Sequence, residues 1–477
     1  MTESTAKRNK LIINLLIISA FVVILNETVM GVAIPHLMAD LGITALAAQW
    51  LTTAFLLTMA VVIPTTGFLI QRISTRRLYI IAMGLFVTGT LVAATAPGFE
   101  VLLLGRIIQA GGTAIMLPLL MTTVMNLEPH ETLGRRMGNI SIVIAVAPAI
   151  GPTISGLILS NLSWRFLFIF MLPIAITMLI IGAKRMRNIG KTSQAPIDIF
   201  SIILSVFGFG GIVFGLSSLG ESSGGGSHTS LVVPLVVGAL ALAAFIWRQI
   251  SLQREDRALL DLNTFRTPTF TASVIMFMIC MMGMFGALIL LPLYMQNVLG
   301  LSVLQSGLLL LPGGLAMGLL APFVGRAYDK VGPKPLLLTG TILTSLALWG
   351  LALFLDVNST WATLLTGHVV FSIGLAFIFT PLFTSSLGSL PKHLYSHGSA
   401  TVSTMQQVAA AAGTATFVAI MSVVVAGSLS GGASQASAYA EGIHTALMVA
   451  APILSLSIIA AFFVKKAKKS AGAPAGH

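Results

Sequence analysis

The sequence predicts an all-α integral membrane protein with fourteen membrane-spanning helices. Of its 477 residues, 56% are hydrophobic and only 8% are charged, whereas soluble globular proteins carry about 25% charged residues. Apolar segments long enough to cross a bilayer, about 20 residues each, recur from Leu11 almost to the C-terminus. Lys and Arg concentrate in every second connection between these segments, as in chains that cross a membrane repeatedly.

Windows of about nineteen residues divide the chain into six, two and six spans. The first six are predicted at Leu11–Ile34, Ala47–Ile70, Leu78–Ala96, Val101–Met125, Met137–Ser160 and Trp164–Ala183. The pair follows at Ile199–Ser218 and Leu231–Trp247. The last six are predicted at Phe270–Tyr294, Leu304–Val324, Leu336–Leu355, Trp361–Leu382, Thr401–Ala426 and Ile443–Val464. The domains expected are an N-terminal six-helix bundle (1–183), an inserted two-helix hairpin with its linkers (184–267), and a C-terminal six-helix bundle with a basic tail (268–477).

The first span follows Lys7, Arg8 and Lys10, an arrangement that resembles a secretory signal peptide. Its apolar run continues to Ile34 without a small-residue cleavage site. At 1.5 Å per residue this run can cross about 30 Å of hydrocarbon. We therefore interpret it as a retained transmembrane helix.

The basic residues test the span count independently, because cytoplasmic loops carry an excess of Lys and Arg. Of the 26 basic residues, all but Arg106 and Arg165 lie in the terminal segments or in alternate connections. Losing or adding one span would invert every later loop. The count is therefore predicted to be even, with both termini cytoplasmic. Two connectors on the predicted outer side, Glu221 to Ser230 and Ser428 to Glu441, are rich in Gly, Ser and Ala and are predicted to be flexible.

Composition also bears on partners and chemistry. The net charge of +12 is spread over alternate loops, so nucleic acid is not an expected partner. The lone Cys280 lies in an apolar segment and is predicted to be a packing residue. The sequence has no phosphate-binding loop, metal-ligand cluster or nucleophile–base pair, so we expect neither an enzyme nor a cofactor or metal. The expected partners are the lipid bilayer, protons and a small-molecule substrate, and the chain is expected to be monomeric.

Two segments at matching places in the two halves form an internal repeat. GFLIQRISTRR, Gly67 to Arg77, follows the second span, and GRAYDKVGPKP, Gly325 to Pro335, follows the tenth. Each has a Gly at a helix end, a short turn and basic residues before the next helix. Parallel repeats of this kind are a common way to build transporters.

Both segments resemble the loop motif of the major facilitator superfamily. The second copy matches through Gly325, Asp329, Lys330, Gly332 and Lys334, whereas the first has Gln71 in place of the acid and Ser74 in place of the second Gly. The resemblance implies that this loop holds the two halves together in the outward-facing state. It assigns conformational roles to Gly67, Arg72, Gly325, Asp329, Lys330 and Gly332, and it suggests a weaker N-terminal copy.

Further motifs narrow the resemblance. Arg106, Gln109 and Gly112 stand as in the family's R-x-x-Q-G-x-G pattern, with Ala110 at the usual first Gly. The stretch from Ala147 to Pro152, including Pro148 and Gly151, is similar to the antiporter motif. LNETVMGVAIP, Leu25 to Pro35, resembles the fourteen-span drug:proton antiporters, with Asn26 at the usual acid and Glu27 one residue later. This arrangement is most similar to the lincomycin-resistance exporters. It implies two six-helix bundles plus two inserted helices, driven by the proton motive force, in a bacterial plasma membrane.

Glu27 and Arg106 are the candidate proton-coupling pair. Both fall inside predicted spans at similar depth, and an ionised residue at a span centre costs about 2.5 to 3.5 kcal/mol on insertion scales. Burial and a nearby cation act on a carboxyl group in opposite directions, so a local rearrangement can switch Glu27 between protonated and ionised forms. The alternative is a fixed buried pair that only joins two helices.

Polar and flexible side chains suggest a substrate cavity. Gln109 and Thr113 share a helix face with Arg106, and Gln407 lies in a polar stripe with Ser403. Met281 and Phe285 belong to a methionine-rich span that suits varied apolar ligands. With Asn26 these residues form the predicted lining: Asn26, Gln109, Thr113, Met281, Phe285 and Gln407. The alternatives are interhelical hydrogen bonding and plain packing.

Two prolines and one histidine inside predicted spans also suggest roles. Pro148 and Pro152 are predicted to bend the fifth span near the interface between the halves. His368, in the twelfth span, is either a proton relay or an internally hydrogen-bonded histidine.

The function expected is a proton-coupled exporter of amphipathic, often cationic small molecules, working by alternating access. One alternative is an exporter or facilitator of a single metabolite, antibiotic or lipid. The other is a membrane enzyme or sensor on the same scaffold.

Overall fold

The computed structural model describes residues 3–189, 198–221, 228–255 and 257–465. Fourteen long helices, each long and apolar enough to cross a membrane, make up nearly all of this part of the chain. They are α1 Glu3–Leu41, α2 Ala45–Arg72, α3 Thr75–Ala94, α4 Phe99–Leu127, α5 Leu133–Leu159, α6 Arg165–Arg185, α7 Ile199–Glu221, α8 His228–Leu252, α9 Pro268–Asn297, α10 Val303–Val331, α11 Pro333–Phe354, α12 Trp361–Gly388, α13 Tyr395–Ser430 and α14 Gln435–Ala461. The predicted fold class and span count are confirmed. Lys191, the Gly-rich connector 222–227 and the tail after Lys465 lie outside the described residues.

The helices are longer than the predicted spans because capped polar turns extend them beyond their apolar parts. Ser434 accepts a hydrogen bond from the Ser437 N–H at 3.2 Å, so α14 begins eight residues earlier than predicted. Ser302 and Gln305 form a reciprocal capping box at the start of α10. Between α13 and α14 only residues 431–434 are non-helical. The flexible connector predicted from Ser428 to Glu441 is therefore mostly helix, and this prediction was wrong.

The helices pack as two groups of six with a hairpin beside them. In the first group α3 packs on α4 and α6, and α1 packs on α5. In the second group α9 packs on α13 and α14, and α11 packs on α12 and α14. The two groups meet mainly where α5 contacts α10 and where α2 contacts α13, while α7 packs on both α2 and α13.

The even number of helices brings the start of α1 and the end of α14 to one face of the bundle. We call it the terminal face; α2, α4, α10 and α12 end there, and α5 and α13 begin there. At the opposite face, Arg165 is held by Asp40 at 3.5 Å and donates to the Ala96 carbonyl at 2.9 Å. Arg165, one of the two basic residues outside the alternate loops, therefore has local partners.

Glycines allow α5 and α10 to approach closely near the terminal face. A Cβ atom on Gly134 would lie 2.5 Å from the Gly325 carbonyl oxygen, and one on Gly138 would lie 2.5 Å from that of Ala321. No real Cβ atom tolerates these distances, so a side chain at either position would force the helices apart. The contact between the halves depends on backbone lying directly against backbone.

A polar network attaches the α7–α8 hairpin to the rest of the protein. Arg248 on α8 pairs with Asp198, directly before α7, through two nitrogens at 2.7 and 2.8 Å. Gln249 donates to Ser201 at 2.8 Å and accepts from the backbone N–H of Leu259, also at 2.8 Å. The linker that follows donates the Asp261 N–H to His397 Nδ1 on α13. The hairpin and its linker are thus fixed to the second bundle next to the α2–α13 contact.

Candidate functional site

A cavity of about 210 Å³ lies between the two six-helix groups. Its wall combines residues of α1, α2, α4 and α5 with residues of α9, α10, α12 and α13, and most of this surface is apolar. The polar side chains of the lining are Glu27, Thr28, Thr113, His368, Ser372, Ser403, Gln406 and Gln407. A mostly apolar pocket with a few polar groups is the usual form of a small-molecule site.

Glu27 supplies the one carboxylate among the lining residues. It lies on α1 where α5 comes close, because a Cβ atom on Gly151 would lie 3.0 Å from the Thr28 Cβ. Ser155 of α5 also donates to the Val29 carbonyl at 3.0 Å. Pro148 and Pro152 of α5 line the same region within a continuous helix. Small and cyclic residues on α5 thus bring that helix against the segment of α1 that carries the acid.

Arg106 lies behind the cavity wall, 1% exposed. Its Nη1 atom donates to Asn26 Oδ1 and to Gln109 Oε1, both at 3.1 Å. Its guanidinium carbon lies 4.0 Å from the centre of the Phe55 ring, a cation–π contact. Gln109 in turn donates to Thr90 at 2.8 Å. The cation is therefore held by neutral oxygens and an aromatic face.

Glu27 and Arg106 interact electrostatically without a direct ion pair. Within the described parts of the chain, no basic nitrogen lies within 4.0 Å of the Glu27 carboxylate. Glu27 thus lines the cavity without a contacting cation, while the Arg106 guanidinium is enclosed by protein. This geometry differs from the fixed buried pair that was the alternative interpretation.

The structure places the other predicted lining residues in two groups. Thr113, Met281, Phe285 and Gln407 lie in the cavity wall; their contact with a substrate stays a prediction. Asn26 and Gln109 are not in the wall, which corrects the expectation that they line the cavity. Both oxygens accept hydrogen bonds from Arg106 instead, because a buried guanidinium needs acceptors from the protein.

The lining predicted from the sequence was incomplete. Met284 and Gln406 line the cavity and lie three positions after Met281 and Ser403, a spacing that puts them on the same helix faces. This signal was present in the sequence. Thr28 also lines the cavity, and its hydroxyl donates to the Leu25 carbonyl of its own helix at 3.0 Å.

The residues given conformational roles lie where the halves meet at the terminal face. Asp329 accepts hydrogen bonds from the backbone N–H groups of Gly134 and Arg135, at 2.8 and 3.0 Å, and so caps the start of α5. Gly332 ends α10 with φ = 82°, a conformation that favours glycine. Lys330 is exposed.

The first copy of the repeat makes the corresponding contact on the other side. Gly67 of α2 packs against the backbone and ring of His397 on α13. Gln71 donates to the His393 carbonyl at 3.1 Å and to Ser396 Oγ at 3.0 Å. Arg72 lies over the Phe68 ring of its own helix, 5.8 Å from the ring centre. The amide of Gln71 thus takes the place that the Asp329 carboxylate has in the second copy of the repeat.

Further cross-half hydrogen bonds close the terminal face. Thr122 of α4 bonds Ser399 of α13 at 2.6 Å, and Thr380 of α12 donates to Ser141 of α5 at 2.9 Å. At the opposite face, the described residues form no hydrogen bond between the halves. The cavity is therefore sealed more firmly toward the terminal face.

The described residues contain no group of three or more His, Cys, Asp or Glu side chains that could hold a metal ion.

Comparison with known proteins places the chain in a family. A family model described as the Major Facilitator Superfamily matches residues 16–414. The chain is 40% identical over 457 residues to the lincomycin resistance protein LmrB of Listeria monocytogenes, covering 95% of this chain and 96% of that protein. It is 38% identical over 478 residues to the lincomycin resistance protein LmrB of Bacillus subtilis, covering 98% and 99%.

Solved structures agree on the fold. The human organic anion transporter MFSD10 superposes with a TM-score of 0.65 at 13% identity, covering 95% of this chain and 99% of that chain. With its fourteen apolar spans and bacterial relatives, the protein is a multi-pass protein of the bacterial cell membrane, and it is not an enzyme. The chain belongs to the major facilitator superfamily of membrane transporters.

Proposed function

We propose that this protein is a proton-coupled exporter of amphipathic, often cationic drugs. The observation that carries the proposal is the single carboxylate, Glu27, in an apolar cavity between the two six-helix halves. The names of the relatives, which refer to resistance against lincomycin, support a drug as the substrate.

Glu27 acts as the site where a proton and a cationic substrate compete. An ionised carboxylate attracts the cation of the substrate in this weakly polar surrounding. Protonation removes that attraction and releases the substrate. Arg106 lies nearby, enclosed by protein, and its positive charge favours the ionised form of Glu27. Glu27 can therefore release its proton during part of the transport cycle.

The sidedness of the cycle follows from the basic loops. The positive-inside rule puts the terminal face in the cytoplasm. The contacts of Asp329, Gln71, Thr122 and Thr380 then close the cytoplasmic side. The described conformation corresponds to the outward-facing state, in which an exporter releases substrate and takes up a proton. The other state requires these contacts to break as the halves, residues 1–183 and 268–477, rock around the cavity.

The alternative is a dedicated exporter of one antibiotic or metabolite. The specific names of the relatives favour it, whereas the mainly apolar wall, with its flexible Met281 and Met284, favours a broad range of shapes.

Glu27→Gln tests the proposal, because the amide keeps the size of the side chain but cannot exchange a proton. Purified protein is reconstituted in proteoliposomes, and uptake of cationic, neutral and anionic compounds is measured with and without an imposed pH gradient. We expect the variant to lose gradient-driven transport by at least tenfold. The control is Glu100→Gln, an exposed acid in the first turn of α4, which should behave as wild type. Gradient-driven transport that survives in Glu27→Gln would refute the coupling role.

A further inference from the structure

His368 of α12 forms part of the cavity wall contributed by the second half. Its Nε2 atom lies 3.2 Å from the Leu310 carbonyl oxygen of α10. Gly313 makes this position possible, since a Cβ atom there would lie 2.5 Å from Nε2 and 2.8 Å from Ser372 Oγ. The ring therefore fits against the backbone of α10 in a place that a side chain on Gly313 would fill.

The contact with Leu310 fixes the roles of the two ring nitrogens. A carbonyl oxygen only accepts hydrogen bonds, so Nε2 must carry the hydrogen, and in the neutral ring Nδ1 is then an acceptor. Nδ1 is buried, and no protein group in the described residues bonds to it. Buried polar atoms without a partner are rare and costly. Nδ1 is therefore an unpaired acceptor in a ring that forms part of the wall of the ligand cavity.

We propose that His368 is a specificity-determining residue for the transported molecule, with Nδ1 accepting a hydrogen bond from a hydroxyl or amide N–H group of the substrate. The inference rests on the proposed function and extends it. Glu27 from the first half engages the cation, and His368 from the second half engages a neutral donor. The preferred substrates are thus amphipathic cations that also carry a hydrogen-bond donor.

Two lipophilic cations that differ in one donor provide the test. They are (4-hydroxymethylphenyl)triphenylphosphonium and its methyl ether, which have the same permanent charge and nearly the same shape. Dissociation constants and transport KM are measured for both with the full-length protein. We expect wild type to prefer the alcohol by about tenfold, the order expected for one buried hydrogen bond left unmade.

Two variants separate the ring nitrogens. In His368→Gln the amide reaches the position of Nε2 and can keep the bond to Leu310, but the acceptor at Nδ1 is lost. In His368→Asn the amide oxygen lies near the position of Nδ1, and the bond to Leu310 is lost. We expect His368→Gln to abolish the preference for the alcohol and His368→Asn to retain most of it. Melting temperatures of both variants report folding.

The outcomes distinguish this inference from the coupling role of Glu27. Glu27→Gln should weaken binding of both cations equally and leave their ratio unchanged. Equal affinity of wild type for the two compounds, or an intact preference in His368→Gln, would show that His368 only anchors α12 to α10. Either result would overturn the inference while leaving the coupling proposal to its own test.

Discussion

Arg106 and Glu27 place two opposite charges near the centre of an apolar molecule, and the surroundings of each determine what it can do. Arg106 donates from Nη1 to the neutral oxygens of Asn26 and Gln109, and its guanidinium lies over the face of Phe55, while its buried Nε has no hydrogen-bond partner among the described residues. Its charge is therefore not cancelled by a contacting carboxylate. Glu27 remains at the cavity surface, influenced by the cation but not bonded to it.

Replacing Arg106 tests the importance of this enclosure. Arg106→Ala leaves the acceptors of Asn26 and Gln109 buried without a donor, which should cost on the order of 3 kcal/mol. Arg106→Lys keeps the charge but cannot match the planar geometry, so we expect a smaller loss. Both are measured as melting temperature and transport rate. Arg165→Ala, which removes a half-exposed pair with Asp40, is the control and should lose about 1 kcal/mol or less. Equal melting temperatures for Arg106→Ala and Arg165→Ala would contradict the expectation.

The sequence predicted the two charged residues of the site, but not which neighbouring residues contact Arg106 and which line the cavity. Glu27 and Arg106 stand out because charges are rare inside apolar spans. Asn26 and Glu27 are adjacent, and successive helix residues point about 100° apart, so one faces Arg106 and the other the cavity. Which direction meets the cavity depends on the neighbouring helices. That information is not contained in a single helix.

At the scale of helices, the two copies of the repeat perform one task with different chemistry. The Asp329 carboxylate caps α5 with two charge-assisted hydrogen bonds, and a negative charge is favourable at a helix N-terminus. Gln71 reaches the start of α13 with a neutral amide. The contact of α10 with α5 should therefore be the stronger of the two, consistent with the weaker first copy suggested by the motif.

Asp329→Asn should loosen the terminal face. The amide can accept only one of the two N–H bonds, and hydrogen bonds to charged groups contribute about 1.5–3 kcal/mol. We expect a cysteine at Ser141, in a Cys280→Ala background, to react with a maleimide from the terminal face about tenfold faster. Lys392→Ala, at an exposed position directly before α13 on the same face, should leave the rate unchanged. An unchanged rate in Asp329→Asn would mean that the carboxylate does not hold the halves together.

The attachment of the α7–α8 hairpin should depend on pH only in the acid range. The hydrogen bonds from Arg248 to Asp198 lower the pKa of this carboxyl to about 2. A lowered folded-state pKa contributes stability above the ordinary value near 4, and that stability is lost as the pH falls toward 2.

Asp198→Asn should therefore lower the free energy of unfolding at pH 5 to 8 by a constant amount, about 1 kcal/mol or less because Arg248 is partly exposed. The difference from wild type should shrink as the pH falls from 4 toward 2. Melting curves of both proteins at each pH provide the measurement. A difference in stability between Asp198→Asn and wild type that grows as the pH falls would contradict the stabilising role of the ionised Asp198.

At the scale of the whole molecule, the sequence predicted the fold class and the number of spans because lipid imposes strong rules. Backbone groups in hydrocarbon must bond within a helix, and apolar length and basic loops identify each crossing. The sequence did not predict which helices pack against one another. The placement of α7 against both α2 and α13 depends on matching surfaces far apart in the sequence, as do the glycine contacts of α5 with α10.

The orientation of the molecule is the remaining whole-chain prediction, and the direction of transport depends on it. Basic loops at the terminal face predict that both termini are cytoplasmic. A fluorescent protein fused after His477 should be bright, and alkaline phosphatase fused there should be inactive. Insertion of the same reporters after Ala433, in the α13–α14 connector at the opposite face, should give the reverse result. Active phosphatase at the C-terminus would place the closed terminal face outside the cell, and the conformation described would then be inward-facing.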